Sequence, residues 1–303
     1  MICLNPITAY ENPEKGRPIF GWAGFSQGLR ELQLPCGKCA SCIHNYYSYW
    51  ATRGFYELLN WKQNWFVTFT YNDKHLPKNR SLSKKEFQKF VKKLKKQFGS
   101  SKKNPVRQIY CGEYGEKTKR PHYHAIFFNL NLHDPSIDPD NVLVEKRLSD
   151  QGHLCYTNKF LSNLWRKGDV EVSEATPATI AYLFKYVLKK KTRKEKMKPL
   201  SIEHNGLTYD VAHEFIEASR NPGIGAHLRH SRSIRKGYLS VDGKIKALPK
   251  YFLEYLKNTD PRFYEELKNQ RTDYAATRPK ISRDEQSRIN AVLKENQKLK
   301  KRD

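Results

Sequence analysis

The segments "VRQIYCGEY" (Val106–Tyr114) and "PHYHAIFFN" (Pro121–Asn129), joined by the polar "GEKTKR" (115–120), decide the fold. Both are short runs of β-branched and aromatic residues flanking a charged loop, so they read as two antiparallel strands of a hairpin. Side chains two apart on a strand share a face, which aims His122 and His124 the same way, with Ile126 and Phe128, and aims Tyr123 oppositely. In a regular hairpin Glu113 has the parity to sit across from either imidazole. Two neutral imidazoles and one carboxylate on a rigid sheet make an open divalent-metal site, with positions left for water or substrate. The plain alternative is a pair of histidines hydrogen-bonded inside a sheet; Glu113 and the strand context favour the metal.

Upstream, "WFVTFTY" (65–71) alternates Trp65, Val67, Phe69 and Tyr71 against Phe66, Thr68 and Thr70, a strand that stops at the turn-like "NDKHLP". "SLSKKEFQKFVKKLKKQFG" (81–99) is the clearest helix. Ser83 and Glu86 have capping-box spacing, Leu82 and Phe87 can staple, Phe87, Phe90, Val91, Leu94 and Phe98 form the inner stripe, and Gly99 ends it. Residues 84 to 103 hold nine Lys and one Glu, a solvated face or one that meets phosphates; Lys92, Lys93 and Lys96 are its candidate DNA contacts. "IHNYYSYWATRGFYELLNW" (43–61) has helical spacing that Gly54 weakens.

Downstream, the Asp-, Asn- and Pro-rich 130–150 reads as an excursion. A short helix in "NKFLSNLWRKG", a strand in "DVEVSEA" and a helix opened by Thr176 and Pro177 follow. The basic run at 189–198 closes this region, with Lys189 and Lys190 as further DNA contacts. "EFIEASRNPGIG" (214–225) predicts a helix ending in a turn, and the last thirty or so residues an exposed charged helix or tail.

In "TIAYLFKYVLKK" Tyr182 and Tyr186 are four apart and so share a helical face. Ile180, Leu183, Phe184, Val187 and Leu188 cluster nearly opposite, and Lys185 and Lys189 flank the phenols. Nearby cations favour a phenolate, and a metal readies a phosphodiester for its attack. Two surface tyrosines beside lysines are the bland reading.

The 303 residues carry 56 Lys plus Arg against 31 Asp plus Glu, a net +25 that calls for an anionic partner, nucleic acid first. No apolar run reaches the roughly 20 residues of a spanning helix, and the start "MICLNPITAYENPEKG" lacks a signal peptide's apolar stretch, which predicts a soluble intracellular chain. The 18 Tyr, 15 Phe and 5 Trp offer faces for unpaired bases beyond what a core takes. Cys36, Cys39 and Cys42 in "CGKCASC" suggest metal rather than disulfides, with Cys3 the first candidate for a fourth zinc ligand and His44 the second. An iron–sulfur cluster and three unmetallated thiols are the alternatives. The imidazole site should take an exchangeable Mg²⁺ or Mn²⁺.

A histidine-triad hydrolase would need a third alternating histidine where this chain has Ile126, and a cupin-type oxygenase would leave the charge unexplained. The ordered set "FVTFTYNDKHLP", "PHYHAIFF" and "YLFKY" resembles the HUH endonucleases: rolling-circle initiators, relaxases and some transposases. More narrowly, "LPCGKCASC", "YCGEYGEKTKRPHYHAIFF" and "SRNPGIG" resemble the replication initiators of gokushovirus-type microviruses, over residues 3 to about 230. The resemblance implies an α+β fold, an antiparallel sheet flanked by helices. It divides into a cysteine-rich, zinc-braced N-terminal module (1–62), an endonuclease core (63–198) and a mostly helical basic C-terminal region (199–303). It implies His122, His124 and Glu113 as metal ligands, and Tyr182 or Tyr186 as the nucleophile that becomes joined to a 5′-phosphate at a single-stranded viral origin. Lys185 lies between them. The free 3′-hydroxyl would serve a host polymerase, with a host helicase, in the cytoplasm of a bacterial host. A non-catalytic zinc-braced nucleic-acid-binding protein, or a relaxase or transposase, are the competing functions.

Overall fold

The computed structural model describes residues 3–14, 16–149, 152–188, 199–241, 243–277 and some positions between 282 and 292, with side chains as far as Phe184 in the helix ending at Leu188. The chain forms two compact units, one of Met1–Tyr49 with Leu253–Asp303, the other Trp50–Phe252. The first unit holds the hairpin of β1 (Ile7–Tyr10) and β2 (Glu31–Leu34), the short α1 (Trp22–Ser26), the start of α2 (Ala40–Leu59) and a helix at Pro261–Ala276.

The second unit is organised by a sheet. Its strands in chain order are β3 (Asn64–Phe69), β4 (Arg107–Tyr114), β5 (Pro121–Phe128), β6 (Leu143–Leu148), β7 (Leu154–Asn158), β8 (Val170–Glu174) and, after the separate hairpin β9 (Leu200–His204) and β10 (Leu207–Val211), β11 (Phe215–Ala218). These seven pair in the spatial order β11-β4-β5-β3-β8-β7-β6, every pair antiparallel. The expected α+β class with an antiparallel sheet and flanking helices is therefore present.

One face of the sheet is dry. Tyr123, Ala125 and Phe127 of β5, with Val67 and Phe69 of β3, meet Phe87, Phe90, Val91 and Leu94 of α3 (Lys84–Gln97) and Trp165 of α4 (Lys159–Trp165) in one buried cluster. The Ser83 hydroxyl caps α3 by accepting the Glu86 N–H at 3.2 Å. The capping box is only half made: the Ser83 N–H donates to the Tyr123 hydroxyl at 3.0 Å, while the Glu86 carboxylate takes the Tyr71 hydroxyl and Lys167. A buried phenol outcompetes the local return bond.

On the other face Ile126 and Phe128 are buried, and α5 (Pro177–Leu188) packs with Ile180, Leu183 and Phe184 inward. Gly54 does not break α2. A Cβ there would meet the Ile180 Cγ2 at 2.9 Å, so the glycine lets the two helices approach.

Two segments depart from expectation. β6 lies inside the polar excursion, and "EFIEASR" is the edge strand β11 rather than a helix, with Phe215 opposite Gly112. Four residues cannot build a helix of useful length, but they can satisfy the open edge of β4. The C-terminal region is likewise helical only from Lys250 onward; strands occupy 200–247, including the hairpin of β12 (Tyr238–Val241) and β13 (Lys244–Ala247). The basic run 189–198 and most of the last thirty residues lie outside the described residues.

The "SRNPGIG" loop is clamped rather than catalytic in placement. Glu57 accepts the Gly225 N–H at 2.6 Å and Arg107 Nε at 2.5 Å, Arg107 also reaches the Pro222 carbonyl at 2.9 Å, and Arg53 Nε the Ile224 carbonyl at 2.9 Å. Among the described residues, no helix is long and apolar enough to cross a membrane.

Candidate metal and tyrosine site

The hairpin register sets Glu113 directly across from His122 and Cys111 across from His124, so the carboxylate lies between the two imidazoles' rows. Both ring Nε2 atoms face the same oxygen, Glu113 Oε1, at 2.7 Å for His122 and 3.1 Å for His124. The other ring nitrogens are held from behind: His122 Nδ1 is 3.2 Å from the Arg120 carbonyl and His124 Nδ1 is 2.9 Å from the Thr68 hydroxyl. A carbonyl only accepts, which assigns the His122 proton to Nδ1 and leaves its Nε2 lone pair aimed at a carboxylate. That juxtaposition is repulsive unless a second proton or a cation lies between.

Burial sharpens the demand. Glu113 and His124 are 6% and 7% exposed, and Glu113 Oε2 is buried with no hydrogen-bond partner. Burial pushes the Glu113 carboxyl up, but the bonds from His122 and His124 outweigh it and hold the group below its ordinary value. Burial also pushes His124 down, against the pull of Glu113, which keeps it neutral and able to ligate. The ligand atoms of all three lie within 4.8 Å of one another. Two imidazole nitrogens, a carboxylate with an orphaned oxygen and oriented outer partners fit an exchangeable divalent cation.

Tyr182 is at this site. Its ring meets the His124 ring edge-on at 5.7 Å between centroids and the Phe66 ring at 5.9 Å, and Phe66 stacks on His124 at 5.4 Å. The tyrosine is 38% exposed, so the phenol stands where solvent and the imidazoles meet. Lys185 and Tyr186 lie on the same helix, α5, with side chains outside the described residues, as are Lys189 and Lys190 entirely.

Lys92, Lys93 and Lys96 are exposed, yet the structure does not bring them to the imidazoles: α3 covers the Tyr123 face, so they lie on the far side of the sheet. Sequence reasoning missed Thr68, Arg120 and Phe66. Thr68 could have been found, since it shares the alternation "WFVTFTY" with Phe66, on the row facing the histidines.

In the other unit Cys3 joins Cys36, Cys39 and Cys42, all four sulfurs within 4.8 Å of one another, while His44 is outside the group. Cys3 and Cys39 are 3.9 Å apart and Cys36 and Cys42 4.0 Å, close to the roughly 3.8 Å between sulfurs around a tetrahedral ion with bonds of about 2.3 Å. Burial pushes the Cys36 thiol up, but the N–H groups of Lys38 and Cys39, at 3.5 and 3.3 Å, bring it down to about 7. Burial pushes Cys42 up, so a metal-free cluster mixes thiolate and thiol. The donor set fits zinc.

Residues 64–191 match the family model of the ORF2-type replication-associated protein, a span from β3 through α5 that contains His122, His124, Glu113 and both tyrosines. The chain is 29% identical over 269 residues to the replication-associated protein VP4 of Bdellovibrio phage phiMH2K, covering 86% of this chain and 79% of that one. It is 28% identical over 330 residues to the replication-associated protein ORF2 of Spiroplasma virus 4, covering 97% of each. A third relative, the replication-associated protein ORF4 of Chlamydia phage 1, is 30% identical over 158 residues, 52% of this chain and 38% of the relative. No solved structure matches. The resemblance to phage replication initiators that the motif order implied is borne out.

Proposed function

We propose that this chain initiates phage rolling-circle replication by nicking and rejoining single-stranded DNA at the viral origin through a tyrosine–DNA intermediate. The relatives named as replication-associated proteins support the replication role. The observation that carries the chemistry is the Tyr182 ring packed 5.7 Å from His124, whose Nε2 shares Glu113 Oε1 with that of His122.

His122, His124 and Glu113 would hold Mg²⁺ or Mn²⁺, which supplies charge neutralisation at the scissile phosphate. The chain's own work is orientation. The Arg120 carbonyl and Thr68 hydroxyl fix the imidazoles, and Phe66 holds the flat of His124 while presenting its edge contact to Tyr182. The phenol oxygen bonds to phosphorus as the bond to the 3′-oxygen breaks. Its proton leaves to solvent, to which the side chain is open, and the 3′-oxygen leaves as a hydroxyl. One phosphodiester is exchanged for another, so the strand can be rejoined without an added energy source. Tyr186, one helical turn on, gives a second nucleophile for the regenerated origin, and Lys185 between them favours phenolate on either.

A host polymerase would extend the 3′-hydroxyl, and a host helicase would separate strands, since no nucleotide-binding loop of the Walker type occurs in the sequence. The four-cysteine cluster holds one structural zinc per chain, measurable as metal content of the purified protein, whose lack of colour separates zinc from iron–sulfur. The test is incubation with labelled single-stranded fragments tiling the phage genome and Mn²⁺, followed by a denaturing gel. A covalent adduct on one fragment is expected. Its persistence in the Tyr182→Phe, Tyr186→Phe double variant would remove the tyrosines from the chemistry, and its absence with the wild type would leave a non-catalytic binding protein. Adducts on conjugative or transposon-end DNA instead would mark a relaxase or transposase.

A further inference from the structure

A groove of about 1220 Å³ runs between α3 and the β4–β11 edge, on the side of the molecule away from the imidazoles. Lys92 and Lys95 line it from α3 and Lys102 from the loop that follows. On the rim Lys84 and Arg220 share Glu217. Arg107, at the base, is spent on Glu57. Lys92, Lys95 and Lys102 by contrast have no ion-pair partner among the described residues. Lys95 is half-buried, and burial together with the Arg107 charge holds it below the ordinary lysine range. A partly desolvated ammonium beside another cation is costly, and an anion laid along the groove would recover that cost.

We infer that this groove binds single-stranded DNA by its phosphodiester backbone, as a second contact separate from the imidazole and tyrosine site. The choice of a DNA strand as the polyanion rests on the proposed function; the demand for an anion does not. A mononucleotide fits less well, because the volume exceeds the roughly 300–1,000 Å³ of small-ligand sites. Tyr110 is the one aromatic residue among those lining the groove, and it is buried, so no exposed ring is offered for a base to stack on. Binding there should ignore sequence and follow salt. The contact lies behind the sheet, so it would retain a stretch of strand other than the one being cut. Retention of that kind matters when a nick leaves one end with no covalent tie.

The experiment measures anisotropy of a labelled oligothymidylate with full-length protein in EDTA across a salt series. The groove variant is Lys92→Gln, Lys95→Gln, Lys102→Gln, and the matched control is Lys236→Gln, Lys244→Gln, Lys246→Gln. The groove variant should lose at least about tenfold in affinity, and its log–log salt slope should fall by about two, at roughly 0.7 per phosphate contact on a single strand. The control should lose less of both. Should the triple variant melt early, Lys102→Gln alone, on an exposed loop, should lower the slope by about 0.7. A groove slope equal to wild type overturns the inference, as does displacement of the oligonucleotide by thymidine monophosphate at equal phosphate concentration. A wild-type protein that forms no tyrosine adduct would defeat the proposed function while leaving this slope difference intact.

Discussion

Along β5, neighbouring residues are committed to opposite tasks. Tyr123, Ala125 and Phe127 turn toward α3, where Phe87 stacks on Tyr123 at 4.5 Å and aromatic rings fill the layer. His122 and His124 turn the other way, toward a carboxylate with an unpaired buried oxygen. The dry face gains from every contact it makes; the polar face carries a desolvated charge and facing lone pairs. A period of two lets one backbone do both, because the side that packs holds still the side that reacts. Damage to the two faces should therefore separate cleanly in experiment.

The largest effect is expected on the polar face. His124→Ala or Glu113→Ala should lower metal-dependent adduct formation by at least about a thousandfold, about 4 kcal/mol of barrier. Single-stranded DNA binding in EDTA should persist. Metal-free stability, read by urea unfolding, should hold or rise for Glu113→Ala, because the variant removes an uncompensated buried oxygen. A Glu113→Ala protein that unfolds early would merge the two faces and defeat the comparison.

Tyr123→Ala probes the opposite face. It removes a fully buried ring and the hydroxyl that accepts the Ser83 N–H, and should cost about 3–5 kcal/mol by urea unfolding. Adduct yield per folded molecule should stay near wild type at low temperature. Tyr123→Phe keeps the ring and loses that bond, so about 1 kcal/mol is expected.

Much of this division could be read before any coordinates. Strand parity alone put His122 and His124 on one face, and the short polar link placed Glu113 opposite them. Helical spacing put Tyr182 off the apolar stripe of α5, where Ile180, Leu183 and Phe184 are buried. Other features were settled by partners distant in sequence. Glu86 satisfies the capping pattern locally, but its carboxylate is taken by Tyr71 and Lys167, and β11 is a strand because β4 has an edge to fill. Nothing in the helical pattern of α3 says which side of the sheet its lysines occupy; that follows from which β5 residues its phenylalanines meet. Gly54 reads as a weakness until Ile180 is set against it.

The smallest expected effect on the polar face tests how its geometry is kept. The two imidazoles are oriented by different kinds of partner: His122 by the Arg120 backbone carbonyl, which no side-chain substitution deletes, and His124 by the Thr68 hydroxyl, which one does. Thr68→Val preserves the branched shape and the strand preference of a residue paired on both sides, with His124 in β5 and Glu171 in β8. It should leave the urea midpoint near wild type yet weaken Mn²⁺ binding by about 10- to 100-fold, the usual scale for an outer partner of a metal-bound imidazole. Calorimetric titration of Mn²⁺ reads this directly, and Thr68→Ser should restore most of it. Unchanged Mn²⁺ affinity in Thr68→Val would mean that ring packing against Phe66, at 5.4 Å, is enough to aim His124, and that the hydroxyl only satisfies a buried nitrogen.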